Sequence, residues 1–172
     1  GIRYLHRVQD IYTPNLELTD TWINMVEHKT LQPWHFSSTK ISGSNSFYQF
    51  SENILIINSN LNKEKKQKSD TIHFDKPIFD WNLYGILLVG LPFKEGAIYK
   101  FPYYSAKTFK VEHLIVKVEG MEAVKNLENQ NIKTWKLSCS DGLVFWLTKE
   151  APYVIQLELT IPNQGKIYWN SY

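Results

Sequence analysis

Pro77-Ile78-Phe79-Asp80-Trp81-Asn82-Leu83-Tyr84-Gly85-Ile86-Leu87-Leu88-Val89-Gly90-Leu91-Pro92 is the stretch on which the fold turns. Proline stands where a first helical turn tolerates it, Asp75 or Asp80 can cap, and Gly90 followed by Pro92 provides a stop. The pattern therefore predicts one helix over about 78–90, with apolar side chains almost all the way round. A helix without a wet face has to be wrapped by other elements. Nearly everything on either side reads as strand, so the expected fold is mainly β: an antiparallel meander forming a curved sheet or incomplete barrel around one central helix.

Working outward, the N-terminal side offers strands at Arg3–Gln9, Leu16–Glu27 and Trp34–Ile41, then Phe47–Phe50 and Ile54–Ile57. Ser42-Gly43-Ser44-Asn45 and Ser51-Glu52-Asn53 supply the turns between the later ones. Residues 58–69 carry Lys63, Glu64, Lys65, Lys66 and Lys68 with little apolar content, which predicts a solvated hairpin tip. On the C-terminal side, Ala97–Tyr104 is crowded with aromatics, and Pro102 confines it to an edge or a bulge. Between Phe109 and Glu119 the apolar alternation changes phase near His113, which suggests a bulge or sharp coil. Asp141-Gly142 is a hairpin signal between Lys133–Cys139 and Leu143–Leu147, the latter apolar on both faces. From Tyr153 to Ile161 apolar and polar residues alternate cleanly, predicting one wet face. Asn163-Gln164-Gly165 then turns into a last strand, and the count reaches about ten.

The 172 residues suffice for one sizeable core, so residues 1–172 are expected to form a single domain. Six Trp, ten Tyr and nine Phe favour pleated sheet, and a formal charge of +2 argues against a nucleic-acid partner. No apolar run reaches the roughly eighteen residues that a membrane-spanning helix needs. The chain starts at Gly1 rather than Met, so an upstream segment, a signal peptide being the obvious candidate, is expected to have been removed. Cys139 is the single cysteine and sits in strand-like sequence, where it reads as a small buried hydrophobe.

One order of features is familiar: the break Lys29-Thr30-Leu31-Gln32-Pro33, the helix ending in Leu91-Pro92-Phe93-Lys94-Glu95-Gly96, an aromatic strand, then Thr134-Trp135-Lys136 and Phe145–Ile155. It resembles an exported family of domains of unknown function, DUF3108-like, and more remotely the half-barrels of the outer-membrane lipoprotein carriers. The resemblance implies a periplasmic or outer-membrane-associated location, a half-barrel on a helix, and handling of a lipid-like or other apolar ligand. It implies no catalytic residues.

The residues themselves point the same way about chemistry. His6, His28, His35, His73 and His113 show no metal-ligand spacing, no nucleophile elbow is present, and no glycine cluster could cradle phosphate. The expected protein is not an enzyme and needs no cofactor or metal. If the sheet leaves an apolar trough, Trp81, Tyr84, Tyr99, Phe101 and Trp146 are its candidate lining, since concave apolar surfaces hold small ligands. The alternative is an envelope interaction or structural module with a filled core.

Overall fold

The structure is a computed structural model that describes residues 1–13, 15–60, 67–105, 108, 110–151, 153–161 and 165–170, with backbone alone at 67, 68, 81, 84, 161, 169 and 170. Among the described residues the fold is mainly β, with twelve strands in two six-stranded sheets. The first sheet is formed by β1 (Tyr4–Tyr12), β2 (Leu18–Glu27), β3 (Pro33–Lys40), β4 (Asn45–Phe50), β5 (Ile54–Asn60) and β6 (Gln67–His73), in chain order. The second follows from β7 (Ile98–Ser105) through β8 (Lys110–Lys125), β9 (Asn131–Cys139), β10 (Leu143–Leu147) and β11 (Val154–Ile161) to β12 (Gly165–Asn170). Every register described is antiparallel, and neither strand order closes on itself.

Two compact units divide the chain: residues 1–82 with 104–111, and residues 83–103 with 112–172. The first unit is built on Phe36, Phe50, Leu55, Ile57, Ile78 and Tyr104. The second is built on Leu88, three alternating residues of β8 (Leu114, Val116, Val118), and Leu137, Cys139, Leu143, Phe145 and Leu147. Cys139 is buried there as a free thiol, in line with its sequence context. Burial pushes that thiol well above its ordinary range, with Asp141 adding to the effect.

The helix is shorter than the predicted 78–90. A 3-10 turn at Trp81–Leu83 leads into α1, which covers only Tyr84–Val89. The reason is that the apolar run serves two cores in succession: Ile78 is buried in the first cluster, Leu88 in the second. Apolar residues all round a presumed helix are here an extended segment followed by a short helix. Between them Asp80 accepts the backbone N–H of Asn82 at 3.0 Å, starting the 3-10 turn, while α1 itself has no side-chain cap.

The phase change of β8 has a related cause. Val111 packs against the first cluster, whereas Leu114, Val116 and Val118 belong to the second. The irregularity in the β8–β9 register lies further on, between Val118 and Gly120, where Gly120 takes a φ of +135° that side chains disfavour. At Asp141-Gly142 the expected tight turn forms, with Gly142 at φ +91°. Pro102 lies in β7, an edge strand, where a missing donor costs nothing.

The wet face expected for β11 is not wet throughout. A register shift against β10 brings Val154 round to pack on the second cluster, and Glu158 is buried beside Lys166, 2.9 Å away. Residues 61–66 of the lysine-rich 58–69 segment and the turn at Asn163-Gln164 lie outside the described residues, while residues 58–60 and 67–69 pair as the ends of β5 and β6.

Candidate functional site

The first sheet leaves large apolar side chains in the open on one face. Cross-strand partners share a face, so the registers define its rows. One row runs Val8, Ile23, Ser37, Phe47, and the next runs His6, Met25, His35, Gln49, Ile56. Val8, Phe47 and Ile56 are 58%, 43% and 37% exposed. The His35 ring lies 4.4 Å from that of Phe47, and Tyr4 stacks on Trp34 at 5.5 Å. Desolvation lowers the His35 pKa, and neighbouring His6 lowers it further, so the face carries no fixed imidazolium at His35 near neutral pH. β1 contributes Tyr4, Val8 and Tyr12 to this face and is also an edge of the sheet.

Behind that face the same sheet holds a buried polar centre. Asp80 is 5% exposed; it accepts Asn24 Nδ2 at 2.6 Å and, besides the Asn82 backbone, Asn82 Nδ2 at 3.1 Å. Arg7 donates to Asn82 O at 2.5 Å and to Gln9 Oε1. Burial raises the Asp80 pKa, against the hydrogen bonds and Arg7, which hold it down. The cluster joins β1, β2 and the segment entering the 3-10 turn, so its evident work is to tie that segment to the sheet. Among the described residues the Asn24 Oδ1 has no hydrogen-bond partner.

The second unit carries a cleft of about 500 Å³ between two turns, lined by Asn126, Glu128, Gln130 and Ile132 on one side and Thr148–Ala151 with Ile155 on the other. Asn126 Oδ1 accepts the Gln130 N–H at 2.9 Å, and Asn129 takes φ +64°, which shapes the first turn. Lys149 reaches away to the end of α1: its ammonium donates to Val89 O at 2.7 Å and to Leu91 O, and sits 3.7 Å from the centre of the Phe93 ring. Desolvation lowers its pKa. That cation is therefore engaged in capping the helix, and the cleft offers amides and exposed carboxylates around a small apolar floor.

The residues predicted to line a trough are not gathered in one place. Tyr99 and Phe101 pack against the second cluster, and the Tyr99 hydroxyl donates to Pro92 O. Trp146 alternates with Phe145 and Leu147 and so faces the other side of the sheet, where its indole N–H bonds Glu122 and Lys136 lies 5.1 Å from its ring centre. The side chains of Trp81 and Tyr84 lie outside the described residues. The polar centre was missed by sequence reasoning: Asn24 and Asp80 are 56 residues apart, and the one local signal was Asp80 two residues before Asn82.

Among the described residues no group of three or more His, Cys, Asp or Glu side chains could share a metal ion, and no helix is long and apolar enough to cross a membrane. The family model described as "Protein of unknown function (DUF3108)" matches residues 5–168. No curated protein and no solved structure matches the chain.

Proposed function

We propose that this chain, which belongs to the family of proteins of unknown function DUF3108, is a non-catalytic module of the cell envelope that works through the exposed face of its first sheet. The observation that carries the reading is the contrast between two sets of apolar side chains. Of the three candidates for a ligand trough whose side chains are described, Tyr99 and Phe101 are packed on a core and Trp146 is buried against Glu122 and Lys136, whereas Tyr4, Val8, Tyr12, Phe47 and Ile56 stand open to solvent. Several exposed large apolar side chains on one face of one sheet fit a surface that meets a partner.

The envelope location, reached after removal of a leader, and the half-barrel wrapped on its helix belong to the same proposal. Their support is the resemblance of the order of sequence features to an exported family and, more remotely, to half-barrel carriers, and for the helix the burial of Leu83, Leu87 and Leu88. The proposal takes residues 1–172 as one domain, since the chain passes between its two units three times.

Native mass spectrometry of the purified protein, before and after organic extraction, tests the reading. The expected result is protein, of whatever oligomeric state, without any bound small-molecule mass, and with no uptake of added phospholipid. A co-purified mass of fatty-acid or phospholipid size, lost on extraction, would overturn it in favour of a lipid-binding domain.

A further inference from the structure

We propose that β1 pairs antiparallel with β1 of a second copy of this chain, about a two-fold axis at Val8, joining the two first sheets edge to edge. The inference deepens the reading above by naming the partner, and it rests on that reading in taking the first sheet as the working surface.

Three observations lead there. First, β1 is an edge among the described strands, and although it carries Arg7 and Asp10 and a register irregularity near Tyr12, it lacks the two commonest edge guards. Natural sheets blunt their edges with lysine or proline, and the other three edges here have them: Lys68 in β6, Lys100 and Pro102 in β7, Lys166 in β12. β1, Tyr4-Leu5-His6-Arg7-Val8-Gln9-Asp10-Ile11-Tyr12, has neither residue.

Second, the free backbone groups are in the right phase. His28 N–H bonds Arg3 O, and Tyr4 stands opposite Glu27. In an antiparallel ladder this alternation turns the groups of odd-numbered β1 residues toward β2 and those of the even-numbered ones outward. Tyr4, His6, Val8, Asp10 and Tyr12 therefore present N–H and C=O at the edge, and their side chains lie on the open face.

Third, the strand is complementary to itself in one register. With Val8 opposite Val8 of the second copy, Tyr4 faces Tyr12, His6 faces Asp10, Leu5 faces Ile11 and Arg7 faces Gln9. Aromatic meets aromatic, aliphatic meets aliphatic, and the imidazole meets a carboxylate. Shifting the strands by two residues either way loses this: one shift opposes Arg7 to Arg7, the other opposes Val8 to Asp10. Asp10 already accepts the Thr21 hydroxyl at 2.7 Å, which fixes that carboxylate on the open face.

A Val8→Cys variant provides the direct test. Paired residues on the axis have Cα atoms about 5.5 Å apart, inside the range a disulfide spans. Mild oxidation should give a covalent dimer on a non-reducing gel. Asp10→Cys, whose two copies would lie about 13 Å apart along the strands, should give none. The native Cys139 is buried and should give none in the unsubstituted protein.

Sedimentation equilibrium supplies the second measurement. Val8→Pro removes only an outward N–H, so it should abolish the dimer and leave the circular dichroism unchanged. His6→Asp sets like charges opposite each other at two places and should raise the dimer dissociation constant about tenfold. Adding Asp10→His should restore it. A wild-type chain that stays monomeric at all concentrations, or equal cross-linking of the two cysteine variants, would overturn the pairing. A lipid mass in the native spectrum would instead overturn the earlier reading and leave the strand pairing standing.

Discussion

Gly85, at the start of α1, offers a test of how the helix rests on the second sheet. A Cβ at this position would come within 2.8 Å of Val154 Cγ2. Carbon atoms in contact prefer about 3.5–4.0 Å, so the clash is close to 1 Å deep and neither the helix backbone nor a branched valine can yield it freely. Overpacking of this kind costs about 1–3 kcal/mol. Against it, alanine is about 1 kcal/mol better than glycine inside a helix. Gly85→Ala should therefore destabilise the protein by up to about 2 kcal/mol in the native background. With Val154→Ala the obstructing methyl is gone and only the propensity gain is left, so the same substitution should stabilise by about 1 kcal/mol. Urea denaturation of the four proteins in the cycle reads both effects as midpoint shifts at constant slope. An effect of Gly85→Ala that has the same sign and size in both backgrounds would refute the helix contact.

Two further outcomes are expected. Leu87 is 7% exposed, so Leu87→Asp loses its burial and places a carboxylate in an apolar site, a cost above about 4 kcal/mol that should leave the protein insoluble or without a cooperative melt; a soluble, cooperatively melting variant in calorimetry would show the helix to be peripheral. Asp80 binds its proton more tightly folded than unfolded, because burial raises its pKa. Its contribution to stability is then complete below the unfolded value near about 4 and declines as pH rises through the folded one. The stability difference between wild type and Asp80→Asn, measured by urea melts from acid to neutral pH, should fall with pH and then level off; a difference that rises would reverse the assignment.

The β content was legible because it is local: alternation marked most strands, and Asp141-Gly142 marked its hairpin. The helix length was not, because the run from Ile78 to Leu88 is apolar for two different reasons. Ile78 is buried in one core and Leu88 in another, and a sequence window sums them into one all-round stripe. The same confusion made β10 opaque. Leu143–Leu147 is apolar on both faces, and alternation alone could not say that Phe145 enters the core while Trp146 turns to Glu122 and Lys136.

Strand order is a further layer that no window contains. Arg3–Gln9 could be read as a strand, yet whether it is central or an edge depends on Glu27 and its neighbours pairing back onto it. Once β1 is known to be an edge, the same nine residues acquire a second reading. A strand buried between two neighbours can carry any charge pattern that its cross-strand partners accept. Natural edge strands are blunted in several ways, and β6, β7 and β12 each contain a lysine or a proline in their sequence. β1 instead sets His6 and Asp10 at equal distances from Val8, with Arg7 and Gln9 inside them and tyrosine at each end. Within the chain His6 meets Met25 and Asp10 meets Thr21, a pairing that does not depend on the symmetry. A second strand of the same sequence, laid alongside as proposed, would meet it residue for residue.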